Sequence, residues 1–383
     1  MYKDKIDFFL EQIYNKCLEK KADNIAFALG SNYYSLHYNQ NVSLDEIENL
    51  IELASSDEHY SFSSGTLGVV YFMKLLHSAD IISDEDIESI EEDSIDFLLE
   101  LTNLCVDKNE YDLFTGLIGL GIYFLEIKRL DIVSKIVSYI DQIKYENSDS
   151  YYWIDNITKE ENICDLGLAH GLPSIIFFLS DCYLNNCERD LCKNLINGAS
   201  KYLIQLYEEN KSADHIFPSK INVVSGQKYP SNRLAWCYGD LSVAICLWKA
   251  YSVLNNEFLR EISLKILLNS SKIRFENSGI FFSNSKMHID TGFCHGTSGV
   301  AHIFNKFYRI IDIPELKEAS QYWMKLTINE LEKGAKFPLN IREDTWTEHP
   351  GLLEGISGVG MVLLDYQHPQ KAKNWDKIYL MNI

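Results

Sequence analysis

The sequence is short of positive charge: 35 Lys and Arg stand against 55 Asp and Glu, a formal net charge of −20 at pH 7. That balance speaks against a nucleic-acid or anionic-membrane surface and favours a basic partner, although an acidic excess also serves solubility alone. The opening residues, Met1-Tyr2-Lys3-Asp4-Lys5-Ile6-Asp7, lack the apolar stretch and small-residue cleavage site of a secretory signal. No segment is long and apolar enough to span a membrane, so a cytoplasmic protein without membrane insertion is expected. A disulfide framework is also missing. The nine cysteines are an odd number, spread without dense spacing, and fit reduced thiols available for metal or catalysis. What remains is 46% hydrophobic and 23% charged, an ordinary globular balance with material for a large core.

The organising feature is a repeated turn. One or two polar groups precede Gly-x-x-Gly or Gly-x-x-Ser, and an apolar run follows. The first glycines are Gly65, Gly116, Gly171, Gly239, Gly296 and Gly355, at intervals of 51, 55, 68, 57 and 59 residues. A small-residue turn recurring at this period marks stacked helical hairpins, because one hairpin cannot bury its own apolar face. The repeat outweighs the two or three domains that 383 residues alone suggest, and a single domain over 1–383 is expected.

Along the chain, 3–21 and 43–54 read as amphipathic helices, the second opened by a capping box of Ser43 and Glu46. Gly30-Ser31-Asn32-Tyr33-Tyr34 reads as loop or a short strand. After each glycine comes a helix apolar on all sides, such as Ile175-Ile176-Phe177-Phe178-Leu179, and then a one-sided helix near 84–104, 130–144, 187–208, 256–272 or 315–334. The expected fold is all-α, an α/α toroid of six to seven hairpins. Its glycine-turn repeats run from about 60 to 367, and the helices of 1–59 complete the ring. The connection at about 209–235 reads as a structured surface loop.

If the repeats superpose, equal offsets from the glycine become neighbours in space. One position before it stand Ser64, Thr115, His170, Tyr238, His295 and Glu354; two positions before it stand Ser63, Phe114, Ala169, Cys237, Cys294 and Leu353. Cys237 and Cys294 share an offset in consecutive repeats, and His295 adjoins the second. Two thiols and an imidazole make a Cys₂His zinc site with one open position, and helix N-termini favour thiolate. A Cys-His pair is more often core filling; the shared offset tips the balance to metal. Cys182, Cys187 and Cys192 do not match a zinc spacing and read as packing thiols. Cys17, Cys105 and Cys246 read as core, His302 as structural and His349 as a rim residue, while Cys164 stays open.

Together, Ala169-His170-Gly171, Trp236-Cys237-Tyr238-Gly239, Cys294-His295-Gly296 and Leu353-Glu354-Gly355-x-x-Gly358 resemble the lanthionine synthetase C family, the lantibiotic cyclases, from about Gly65 onward. No dehydratase or kinase-like module precedes these motifs, so the resemblance is to the stand-alone class I enzyme. It implies a toroid of seven hairpins with one Zn²⁺ held by Cys237, Cys294 and His295. It further implies that His170 is an acid/base residue, that Asp112 is the acidic residue near it, and that Arg233 and Tyr238 belong to the active site. Some members carry a small β subdomain; no insertion here is long enough to assign one.

The family's reaction adds a cysteine thiol of a dehydrated precursor peptide, with its leader, to dehydroalanine or dehydrobutyrine, closing a lanthionine or methyllanthionine ring. A dehydratase and an exporter are the partners the resemblance suggests, with membrane association only through them. The competing reading is a zinc toroid that holds glutathione or a partner's thiol without cyclising anything. A glycosidase would need opposed carboxylates, for which only Glu354 and Asp112 are candidates, and neither explains the cysteines.

Overall fold

Each of the six repeat glycines is followed at once by a helix. In the computed structural model, which describes residues 2–19, 22–56, 60–156, 160–283 and 285–383, the helices in chain order are α1 (Lys3–Leu18), α2 (Ile25–Asn39), α3 (Leu44–Ser56), α4 (Thr66–Ser78), α5 (Asp84–Lys108), α6 (Leu117–Glu126), α7 (Leu130–Gln142), α8 (Leu172–Leu184), α9 (Arg189–Asn210), α10 (Asp240–Leu254), α11 (Glu257–Ser270), α12 (Thr297–Ile311), α13 (Pro314–Glu332) and α14 (Ile356–Gln367). Short strands lie between them: β1 (Tyr145–Asn147), β2 (Ser150–Tyr152), β3 (Ile163–Asp165), β4 (Lys220–Asn222), β5 (Lys228–Tyr229), β6 (Phe282–Ser283), β7 (His288–Ile289), β8 (Phe337–Asn340) and β9 (Thr345–Thr347).

The glycines immediately precede α4, α6, α8, α10, α12 and α14. Having no side chain, a glycine cannot cap its helix, so the backbone of the turn does so. Leu117 N donates to Glu110 O at 3.1 Å, Thr297 N to Asp290 O at 3.0 Å and Ile356 N to His349 O at 2.9 Å. In each case the acceptor stands six positions before the glycine, and the turn closes on itself. The closure leaves no room for a side chain: a Cβ on Gly171 would stand 2.2 Å from Asp165 O.

Residues 1–96 with 279–375 form one compact unit, and 97–278 with 376–383 form a second. In the second, α6 pairs with α7, α8 with α9 and α10 with α11, and α8 packs on both α6 and α10. Every residue of α8 from Leu172 to Ser180 is buried, whereas α7 buries one stripe, Ile132, Val133, Ile136, Val137 and Ile140. Each fully buried aliphatic or aromatic side chain contributes about 1.5–3 kcal/mol. Antiparallel strands β3, β4 and β5 form a small sheet with Asp165 opposite Lys220. In the first unit α12 pairs with α13, and α1, α2 and α14 pack mutually, with α3 and α4 against α2.

The one-sided helices expected near 84–104, 130–144, 187–208, 256–272 and 315–334 are α5, α7, α9, α11 and α13. The capping box before α3 is formed in both directions: Ser43 N donates to Glu46 Oε2 at 2.8 Å and Glu46 N to Ser43 Oγ at 3.3 Å. The helix expected at 3–21 is α1; residues 20 and 21 lie outside the described residues. One expectation is corrected. Gly30 to Tyr34 is helix, inside α2, which Asn24 caps by accepting from Phe27 N at 3.0 Å. Ten of its residues are buried, among them every one from Ala28 to Leu36, so no helical period was there to read. The connection 209–235 is structured, as expected, and it contributes β4 and β5.

Candidate functional site

The fifth turn, Asp290-Thr291-Gly292-Phe293-Cys294-His295-Gly296, brings a thiol, an imidazole and a carboxylate together. Asp290 accepts from Gly292 N on Oδ1 at 2.9 Å and from His295 Nδ1 on Oδ2 at 2.5 Å. The buried carboxylate thereby fixes the ring and leaves Nε2 facing outward, where Glu354 Oε1 lies 3.2 Å away. Cys294 N donates to Leu353 O at 2.9 Å, which ties this turn to the sixth and brings Glu354 beside it. Ligand atoms of Cys294, His295 and Glu354 all lie within 4.8 Å of one another, the one such group of three among the described residues. Thiol, imidazole and carboxylate are zinc donors, and a carboxylate behind the imidazole is the usual support of a metal-bound histidine. The residues present fit the metal.

The third turn, Asp165-Leu166-Gly167-Leu168-Ala169-His170-Gly171, builds a different site from the same frame. His170 Nδ1 donates to Asp112 Oδ2 at 2.8 Å, and the other oxygen of Asp112 accepts from Thr115 N at 2.5 Å. Leu113 N donates to Ala169 O at 3.2 Å and holds the second turn against the third. The side chain of Asp112 is 2% exposed and that of His170 35%, so the dyad has a buried base and an open face. Burial pulls the imidazole pKa down, but the Asp112 hydrogen bond and the charges of Asp112, Asp165 and Cys237 outweigh it, and the net shift is upward. The imidazole therefore holds its proton more tightly than a free histidine does.

Around His170 stand Phe114, edge-on at 5.8 Å between ring centroids, and Tyr238 at 6.2 Å. The Tyr238 hydroxyl donates to Asp165 Oδ2 at 3.2 Å, and its pKa is raised, chiefly by burial. Arg233 is half-buried, and its guanidinium forms no hydrogen bond or ion pair among the described residues. Cys237 is buried in this same unit. Thus the second unit brings His170, Asp112 and Tyr238 together, and the first brings Cys294 and His295 together.

Asp290 and Asp165 were not among the sequence candidates. Both stand six positions before the repeat glycine, and the signal is the pattern Asp-x-Gly-x-x-His-Gly, which occurs at 165–171 and 290–296. His349 holds the same offset in the sixth turn, accepts from Gly351 N at 3.2 Å and stacks on Phe27, which suits a turn-closing role. Cys182, Cys187 and Cys192 are buried around the α8–α9 connection, and Cys17, Cys105, Cys164 and Cys246 are buried as well. His302, 2% exposed within α12, lies 3.5 Å from Asp365.

A chain of helical hairpins with a thiol–imidazole–carboxylate cluster on its glycine turns defines a class before any comparison is made. The family model for lanthionine synthetase C-like proteins matches residues 24–380, and the chain belongs to that family. Among solved structures it is similar to nisin cyclase, at 18% identity and a TM-score of 0.70, over 99% of this chain and 97% of that one. At that identity the likeness shows the fold, and the expected all-α class of α/α-toroid type is borne out. No helix among the described residues is long and apolar enough to cross a membrane.

Proposed function

We propose that the protein is a zinc-dependent peptide cyclase that adds a cysteine thiol of a precursor peptide to dehydroalanine or dehydrobutyrine of the same peptide, forming lanthionine or methyllanthionine. The observation that carries this reading is the cluster of Cys294, His295 and Glu354, with Asp290 behind the imidazole. Family membership and the fold shared with nisin cyclase support a peptide substrate. In this reading Cys294 and His295 hold the metal with Cys237, which enters on its repeat offset and the family motif. Bound zinc supplies a thiolate from a thiol whose ordinary pKa is about 8.5.

The remaining work falls to side chains. Addition forms a carbon–sulfur bond at the β-carbon and a carbon–hydrogen bond at the α-carbon, while the thiol proton leaves to solvent. His170, backed by Asp112 and raised in pKa, delivers the α-proton from Nε2. Arg233, without an internal partner among the described residues, meets the oxygen on which negative charge develops. Phe114 and the buried Trp236, whose ring centroids lie 6.1 Å apart, form an aromatic wall beside His170. A dehydratase and an exporter are the partners this reading implies, with membrane association only through them.

The test is to load the purified protein with zinc, supply chemically dehydrated peptides bearing cysteine, and count free thiols by alkylation and mass spectrometry. Loss of alkylatable thiol without change of peptide mass is the expected result. Zinc binding and thiol binding without ring closure would instead identify a thiol-holding protein.

A further inference from the structure

Asp165 does more than close its turn. Its Oδ1 accepts from Gly167 N at 2.7 Å, the same bond that Asp290 makes with Gly292 in the fifth turn. Turn closure needs only that oxygen. In the fifth turn the second oxygen holds the turn's own histidine; in the third, Asp112 of the preceding repeat has taken that histidine. Asp165 Oδ2 is thereby released, and it accepts from the Tyr238 hydroxyl of the fourth turn at 3.2 Å.

The surroundings make this bond specific. The side chain of Asp165 is fully buried, and Lys220, directly across the β3–β4 ladder, brings Nζ to 3.6 Å from Oδ2. Gly167 lies against the phenol: a Cβ there would stand 2.6 Å from Tyr238 Cε1, so the glycine lets the ring approach the turn. Burial leads and leaves the Asp165 carboxyl pKa raised, while the Gly167 N–H on one oxygen and the Lys220 ammonium facing the other favour the charged form. A carboxylate only accepts hydrogen bonds. The phenolic proton is committed inward, and what Tyr238 offers outward is lone pairs.

We propose that Asp165 is a positioning residue: by accepting the phenolic hydrogen bond it fixes Tyr238 as an acceptor on its outward side, so the substrate meets Tyr238 through a donor, a peptide N–H. This rests on the reading of the substrate as a peptide and adds how one of its amides is held. It also reverses the simplest role for Tyr238, donation toward substrate.

Asp165→Asn is the sharpest probe. The Asn carbonyl keeps the Gly167 bond, and its NH₂ group, in the place of Oδ2, donates to the phenol oxygen and turns the Tyr238 proton outward. The zinc-loaded protein, labelled with ¹³Cζ-tyrosine, is compared as wild type, Asp165→Asn, Tyr238→Phe and the double variant, with circular dichroism to check folding. The probe is a short fluorescent dehydroalanine peptide carrying serine in place of cysteine, which binds but cannot close.

We expect the Tyr238 ¹³Cζ resonance, assigned by its loss in Tyr238→Phe, to move in Asp165→Asn. Each single variant should weaken peptide binding about 5-fold, the worth of one ordinary hydrogen bond. The double variant should be no weaker than Tyr238→Phe alone. An unmoved resonance, unchanged affinity in folded Asp165→Asn, or additive losses in the double variant each overturn the inference. A wild-type protein that neither binds the peptide nor closes rings overturns the proposed function with it; one that binds while Asp165→Asn binds equally well overturns only this inference.

Discussion

The third and fifth turns share a skeleton, Asp-x-Gly-x-x-His-Gly, and put it to different uses. Both set a histidine one residue before the glycine that opens a buried helix, and both back its Nδ1 with a buried aspartate, Asp112 at 2.8 Å or Asp290 at 2.5 Å. The divergence comes from three neighbours. Position −2 is Ala169 in one and Cys294 in the other. The residue offered by the next turn is Tyr238 or Glu354, and the carboxylate behind the ring comes from the preceding repeat or from the same turn. The fifth turn therefore collects metal donors around Nε2, and the third sets two aromatic rings beside its imidazole. One backbone frame yields an imidazole within a cluster that could hold a metal and another backed by a carboxylate of the preceding repeat, with the difference made by side chains outside the frame.

The comparison breaks most sharply at Cys294. Cys294→Ala should abolish both metal content, measured by elemental analysis, and ring closure, because it removes a donor that nothing nearby replaces. His170→Ala should retain the metal and lose about 10²–10⁴-fold in kcat. If His170→Ala also lost metal, or Cys294→Ala kept it, the two turns would not have separate roles. Asp290→Asn comes next, because it leaves every donor in place and disturbs only the orientation of His295. It should weaken zinc about 10–100-fold in chelator competition. The same exchange at the third turn's backing carboxylate, Asp112→Asn, should leave zinc affinity unaltered.

Much of this frame is legible in the sequence, and the reasons are physical. A Cβ on Gly116, Gly171, Gly296 or Gly355 would run into backbone, so the glycine period marks the helices that follow it, α4, α6, α8, α10, α12 and α14, and the one-sided helices carry their own three-and-four spacing. Equal offsets become neighbours at two places where consecutive turns fall in one unit: His170 meets Tyr238, and His295 meets Glu354. Two things were hidden. The helix at 25–39 is buried on nearly every side, and without a solvent face no period distinguishes helix from strand or loop. Position −6 closes the second, fifth and sixth turns through its backbone carbonyl, so its side chain varies there, Glu110, Asp290 and His349 in turn. At Asp165, Asp290 and His349 the side chain also accepts from the glycine two positions on. The Asp form of that conjunction is visible twice, at the two turns with histidine directly before the repeat glycine.

The smallest effect separates the two backing carboxylates by pH. His170 has a folded-state pKa above the ordinary value of 6.5: burial opposes the charge, and the hydrogen bond and charge of Asp112 lead the groups that overcome it. A raised histidine pKa means that the folded protein holds this proton more tightly than the unfolded chain does. The stability it contributes is fully present below about pH 6.5 and is lost as pH rises through the folded value. Asp112→Asn keeps an acceptor for Thr115 N, so helix closure survives while the charge on His170 loses its partner. The difference in melting temperature between wild type and Asp112→Asn should therefore be widest near pH 6 and narrow toward pH 9. The His170 imidazole resonance, followed by NMR, should titrate at lower pH in the variant, and the alkaline limb of the rate profile should move down with it. A melting difference that stays constant across this range would mean that Asp112 serves the turn and not the imidazole, and the parallel with Asp290 would then hold in geometry alone.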